Sequence, residues 1–134
     1  MNEDYQYTDI TGKVIGCAMK VHNYFGSGFK EHIYERSLDI ELRKNGFSTG
    51  RQIIKRVFYY EDYVGESRLD ILVERKILLE IKAVSEVDDE SYNRMVNYLK
   101  VFNIEVGLLI NFGSKRLEFK RFANSKPGWP GLKS

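Results

Sequence analysis

The stretch that decides the fold is Leu69-Asp70-Ile71-Leu72-Val73-Glu74-Arg75-Lys76-Ile77-Leu78-Leu79-Glu80-Ile81-Lys82-Ala83. Two short apolar runs, Arg68 to Val73 and Ile77 to Ala83, are separated by the charged Glu74-Arg75-Lys76. That is the signature of two strands joined by a tight hairpin. If the hairpin turns around Arg75, Asp70 lies opposite Glu80, with Cβ atoms about 5 Å apart. The two-residue period of a strand then sets Asp70, Glu80 and Lys82 on one face of the sheet. A register slip of one residue would break the arrangement. Two carboxylates so close repel each other unless positive charge sits between them, and a hard divalent cation with oxygen ligands, Mg²⁺ or Mn²⁺, meets that need.

The Glu-x-Lys triplet alone says little. The chain has three: Glu74 with Lys76, Glu80 with Lys82, and Glu118 with Lys120. About half of one is expected by chance in a chain of this size. Context separates them. Glu74 and Lys76 fall in the expected turn, and Glu118 and Lys120 have no acid about ten residues upstream on a partner strand. Only Glu80 and Lys82 lie inside an apolar run with an acid on the neighbouring strand.

Outward from the hairpin, Ile53 to Tyr60 is rich in β-branched and aromatic residues and reads as a strand, with Glu61-Asp62 and Gly65 as punctuation. Upstream, Ile10, Val14, Cys17, Ala18, Val21 and Phe25 recur at three- and four-residue steps, a helix that Thr8 or Asp9 is placed to cap. Gly26-Ser27-Gly28 breaks it. A second helix runs from about Lys30 to Asn45, with Ile33, Tyr34, Leu38 and Leu42 inward and Gly46 as terminator. Glu31 shares that inward face, where a carboxylate is costly unless paired or bound to metal. Downstream, Asp88 to Phe102 returns to helical spacing with Tyr92, Met95, Val96 and Leu99 on one side. Val106 to Asn111 reads as a buried strand and Arg116 to Phe122 as a last one. The order is helix, helix, three strands, helix, two strands: a mixed α/β chain of the α+β kind. Residues 1–124 form one domain, and 125–134, with Pro127, Gly128, Pro130 and Gly131, form a Pro/Gly-rich tail.

The bulk numbers bound the function class. The 134 residues, 43% hydrophobic and 30% charged, suit one globular domain with a real core. No window reaches 18 consecutive apolar residues and no basic-then-apolar leader is present, so a span and a secretory signal are not expected. The single cysteine, Cys17, has no internal partner, which points to a reducing, cytoplasmic home. Net charge is +2, yet Lys115, Arg116, Lys120, Arg121, Lys126 and Lys133 face the single acid Glu118 near the C-terminus, a basic surface suited to phosphates or simply to water. Cys17 and His22 read as core residues. Tyr59, Tyr60 and Tyr63 read first as packing and second as base-stacking platforms.

Gly28-Phe29-Lys30-Glu31-His32-Ile33-Tyr34 resembles the Gly-x-x-Glu-x-x-Tyr signature of the GxxExxY family of small bacterial and archaeal proteins. Val21-His22, Glu41-Leu42, Arg51-Gln52, Leu69-Asp70, Asn97-Tyr98-Leu99-Lys100 and the run Val106 to Gly113 are similar too, so the resemblance covers about Ile10 to Phe122. That family is grouped with the PD-(D/E)xK nucleases. The resemblance implies a restriction-endonuclease-like core: helices on a central mixed sheet that contains an antiparallel three-stranded meander. It implies a metal, Mg²⁺ or Mn²⁺, held by Asp70 and Glu80, with Glu31 as the helix-borne acid and Lys82 as catalytic lysine; the carbonyl of Ile81 is placed to add a further oxygen ligand. Arg68 and Arg94 are candidate substrate contacts. Arg94 stands where family members commonly carry a Gln. The expected activity is hydrolysis of nucleic-acid phosphodiesters, with DNA ahead of RNA as partner. The rivals are a nuclease-fold module that binds without cutting, and a non-catalytic interaction protein that forms a homodimer through a sheet edge.

Overall fold

In the computed structural model, residues 7–124 are described; residues 125–134, the expected tail with Trp129, lie outside them. The elements are α1 (Thr8–Phe25), α2 (Glu31–Lys44), β1 (Thr49–Tyr59), β2 (Asp62–Val73), β3 (Ile77–Lys82), α3 (Asp89–Val101), β4 (Val106–Asn111) and β5 (Glu118–Ala123). The five strands form one sheet in sequence order. β1, β2 and β3 make an antiparallel meander, β3 and β4 are parallel across the α3 crossover, and β5 returns antiparallel to β4. The architecture is the mixed α/β, restriction-endonuclease-like one expected.

Two apolar layers hold the sheet. One face packs α1 and α2 through Val14, Cys17, Val21, Tyr34, Leu38 and Leu42 against Ile71, Leu79, Ile81, Leu108 and Ile110. The other packs Met95 and Leu99 of α3 against Leu69, Leu72, Leu78 and Leu109. β3 and β4, covered on both sides, are buried along nearly their whole length, which is why they read as unbroken apolar runs rather than alternating ones. Gly107 lets α3 approach: a Cβ there would sit 2.5 Å from the Met95 sulfur.

Local chemistry sets the element ends. α2 closes in a Schellman motif: Gly46, at φ 88, donates to Arg43, and Phe47 donates to Leu42 while packing on the core. Asp88 caps α3 by accepting from the Ser91 amide at 2.9 Å, and the Ser91 hydroxyl first, then that amide, hold its carboxyl below the usual range. The β2–β3 hairpin turns at Glu74 and Arg75, both at positive φ (55 and 58), and Lys76 donates back to Val73 at 3.0 Å. This is the type I′ dihedral pattern without the Asn or Gly it favours.

Several expectations are corrected. Thr8 and Asp9 lie inside α1, whose N-cap is Tyr7 with no side-chain cap. β2 starts at Asp62, well before Arg68: residues 62–67 pair with the end of β1 but not with β3, so both faces meet solvent and no burial pattern marks them. Gly65, at φ 150, lies within β2 beside a register shift at Val57/Phe58, an irregularity in a strand rather than its end. Val96 is 48% exposed, since α3 buries the narrower stripe Ser91, Met95 and Leu99. β5 starts at Glu118 rather than Arg116.

Candidate active site

The register of β2 on β3 runs Val73 with Ile77, Leu72 with Leu78, Ile71 with Leu79, and its next step sets Asp70 opposite Glu80. There the backbone ladder stops and the side chains replace it. The Asp70 amide donates to Glu80 Oε2 at 3.1 Å, and the Ile81 amide donates to Asp70 Oδ2 at 2.8 Å. Each carboxylate thus takes a backbone N–H of the opposite strand. On β1, Gln52, between the residues that pair with Ile71 and Leu69, adopts φ 55. Side-chain alternation breaks at this row. Ile71 packs on the α1–α2 side, yet Leu69, two residues away, packs on the α3 side. Asp70 therefore stands at a seam in the sheet.

The electrostatics of the seam are those of a carboxylate pair short of cations. Burial raises the Asp70 carboxyl to about 6; the Ile81 N–H opposes this, Glu35 and Glu31 add to it and Arg94 lowers it. Glu80, 7% exposed, is pushed up to about 8 by burial and then by the charge of Asp70, against the Asp70 N–H, Arg94 and Lys82. The pair thus holds a proton near neutrality unless a cation displaces it. Lys82, half-buried at the end of β3, and Arg94, half-buried on α3, are the positive charges that act on Glu80.

Not every expected residue holds its expected place. Glu31 is exposed, not inward, in the first turn of α2. It still faces the site: partial desolvation raises its carboxyl, Lys82 and Arg94 oppose, and Glu35 adds to the rise. A buried acid of α2 beside the site is Glu35, one turn on and 5% exposed, which sequence reading missed. It accepts from Arg51 Nη1 at 3.1 Å and Gln52 Nε2 at 2.7 Å, fastening the strained Gln52 to α2. The available signal was the i, i+4 step from Glu31 to Glu35 to Asp39, since Asp39 is buried too, held by Thr49 and Arg43. Arg94 lands among the carboxylates. Arg68 is exposed and opposite Ile54, and is not among the charges acting most strongly on them. The Ile81 side chain fills the core while its amide is the one that binds Asp70.

Beside Lys82 in the register lies Asn111, fully buried. Its Oδ1 accepts from the amides of Val84 and Gly113, and its Nδ2 donates to the Val84 carbonyl and to Glu118 Oε1. It ties the chain leaving β3 to the β4–β5 turn. Gly113 is obligatory there, because a Cβ would run into the backbone of Ala83 and Val84. His22 Nε2 donates to the Ser114 carbonyl at 3.1 Å, and Tyr34 stacks on Phe112 with ring centroids 4.7 Å apart. The His22 bond and its burial fit the core role read for it. Cys17 is buried, with its thiol pushed up by burial and by Glu41 against Lys20, so it is no ready nucleophile.

The donor set bears on metal binding. Among the described residues, no group of three or more His, Cys, Asp or Glu side chains is arranged to hold an ion. Two hard carboxylates with a nearby backbone carbonyl suit Mg²⁺ or Mn²⁺, which keep several waters and take further oxygens from a phosphate substrate. Among the same residues, no helix is long and apolar enough to cross a membrane.

Comparison with known proteins bears on the fold and the family. No curated protein matches the sequence. Among solved structures, SSO0001 shares the fold with a TM-score of 0.56 at 17% identity, over 69% of this chain and 49% of that one. The match thus spans about half of that protein. The family description that matches residues 8–122 is that of the PD-(D/E)XK nuclease superfamily. With a match over most of its length, the chain belongs to the PD-(D/E)XK nuclease superfamily.

Proposed function

We propose that this protein hydrolyses nucleic-acid phosphodiester bonds with the help of Mg²⁺ or Mn²⁺, as a member of the GxxExxY branch of its superfamily. The observation that carries the reading is the seam itself. Two carboxylates from adjacent strands, Glu80 buried and Asp70 half-buried, are oriented by each other's backbone and kept short of positive charge. Asp70 and Glu80 would hold the metal, with the Ile81 carbonyl as a further oxygen donor and Glu31, exposed on α2, as an outer acid acting through a bound water. The ion, when bound, would supply Lewis-acid stabilisation of the phosphate and a more acidic water. Lys82 would stabilise charge on the phosphate or orient the attacking water. Arg94 would grip a phosphate oxygen as a two-pronged donor, and Arg68 would contact the backbone farther out. The substrate is nucleic acid, DNA ahead of RNA, and the setting cytoplasmic.

The test is calorimetric titration of Mg²⁺ and Mn²⁺ into the protein beside Asp70→Ala and Glu80→Ala, followed by cleavage assays on single- and double-stranded DNA and RNA. Saturable binding lost in both variants, with cleavage lost in parallel, is the expected result. Full cleavage by Asp70→Ala would refute it. One observation favours a second reading, a module that binds nucleic acid without cutting. Arg94 already brings positive charge to Asp70, Glu80 and Glu31. That version gives salt-dependent, metal-independent binding and no cleavage.

A further inference from the structure

On the α3 side of the sheet, a cleft of about 390 Å³ opens between α3 and β5, lined among others by Val87, Tyr92, Leu109, Asn111, Glu118 and Lys120. Its size falls within the range of small-ligand sites. The register ties it to the carboxylates. Glu80 pairs with Leu109, and Leu109 with Lys120, so Lys120 lies in the same row as Glu80, two strands away. Adjacent strands are about 4.8 Å apart, which puts Lys120 about 10 Å from Glu80 along the row. Lys82 pairs with Asn111, and Asn111 with Glu118, one step farther along. Leu109, packed on the α3 side, fixes the face, and Lys120 shares it: its ammonium lies 4.8 Å from the Tyr92 ring centroid and 5.5 Å from that of Phe122.

We infer that this cleft receives one nucleotide of a single strand next to the phosphate held at Asp70 and Glu80, its base stacking on Tyr92 and its phosphate taken by Lys120. The inference rests on the nuclease reading for the place of that phosphate. Tyr92 is half-buried, braced by Phe122 at 6.0 Å, so its ring is a fixed platform of the kind that single-strand binders use. Lys120 rests on that ring through a cation–π contact, which an arriving phosphate replaces with a stronger charge-assisted bond as the base takes the ring face. A paired base enters only at the cost of unpairing, because stacking on Tyr92 requires it to leave its own helical stack. The walls Val87 and Leu109 are apolar, and Glu118, its Oε1 engaged by Asn111, is the one acid among the residues lining the cleft.

The test measures binding of fluorescent 12-residue oligo-dT, oligo-rU and a duplex by anisotropy in EDTA, over a series of salt concentrations. Proteins are wild type, Tyr92→Leu, Tyr92→Phe and Lys120→Ala, and each is also titrated with Mn²⁺ by calorimetry. Tyr92→Leu is expected to lose about tenfold in single-strand affinity while Tyr92→Phe keeps it. Lys120→Ala weakens binding and lowers the salt slope by about 0.7, the mark of one lost phosphate contact. Preference for dT or rU identifies the natural strand. Wild-type affinity in both Tyr92→Leu and Lys120→Ala, or a wild-type protein that binds no single strand, overturns the inference even if Mn²⁺ binding at Asp70 and Glu80 stands. Conversely, single-strand binding that falls in these variants while no protein binds Mn²⁺ upholds the cleft and removes the nuclease reading.

Discussion

Replacing Glu80 by Gln is expected to make the metal-free protein more stable near neutrality. The folded chain holds this carboxyl at about 8 against an ordinary value of 4.5, so the native state binds a proton that the unfolded chain has released. A native state that binds more protons loses stability as pH rises: the loss begins near 4.5 and is complete once pH passes about 8. At pH 7 the cost is on the order of 3 kcal/mol at about 1.4 kcal/mol per unit. Part of it belongs to Asp70, which shares the burial and the repulsion. Gln keeps the size and the acceptor that takes the Asp70 amide, and removes the charge. The recovery is then about 2 kcal/mol, or about 6–10 °C in Tm for a domain of this size. Thermal unfolding followed by circular dichroism in EDTA, at pH 4 and pH 8, reads it directly. Glu80→Gln should unfold later than wild type at pH 8 and together with it at pH 4. Added Mg²⁺ at pH 8 should close the gap by stabilising wild type alone. A Tm gap of equal size at both pH values, or none at pH 8, would show that the seam carries no ionisation strain.

Three further expectations can be checked with the same instruments. Gly113→Ala, whose Cβ would collide with the backbone of Ala83 and Val84, should cost at least 3 kcal/mol in urea unfolding, whereas Gly107→Ala, opposed by the flexible Met95, should cost about 1–3 kcal/mol. Arg75→Gly, at φ 58 in an exposed turn, should stabilise the hairpin by about 1 kcal/mol, seen as a raised urea midpoint. Arg94→Gln should tighten Mg²⁺ binding in calorimetry, because it removes a positive charge that competes with the ion for the two carboxylates; unchanged affinity would mean that Arg94 acts on substrate alone.

The parts of this fold that were legible in the sequence are those where burial imposes a pattern. β4 was read with the bounds it has, because a strand covered on both faces has to be apolar throughout. Asp70 and Glu80 were legible because a charged residue inside a buried run needs a reason, and a tight hairpin fixes who faces whom. The same logic fails where nothing is buried. The outer half of β2 is held by backbone pairing to β1 alone, so its side chains were free to vary and it read as punctuation. Glu31 and Glu35 were misjudged because apolar spacing defines a helix face to within about one residue. At the edge of that face, Tyr34 drew the reading toward Glu31 when Glu35 was the one inside. Gln52 at positive φ was beyond reach: its side chain is held by Glu35 across the layer, which is not near it in sequence.

The exchange of backbone and side chain at the seam makes two amides into gauges of the site. The N–H groups of Asp70 and Ile81 each point at an oxygen whose charge changes with every proton or cation that arrives. An amide hydrogen bonded to an ionised carboxylate is deshielded, and it returns upfield when that carboxylate is protonated. In a ¹⁵N-labelled sample these two cross-peaks would trace occupancy of the carboxylate pair through pH, through metal, and through any substrate that brings its own phosphate. They do so with no added probe group and no reaction required.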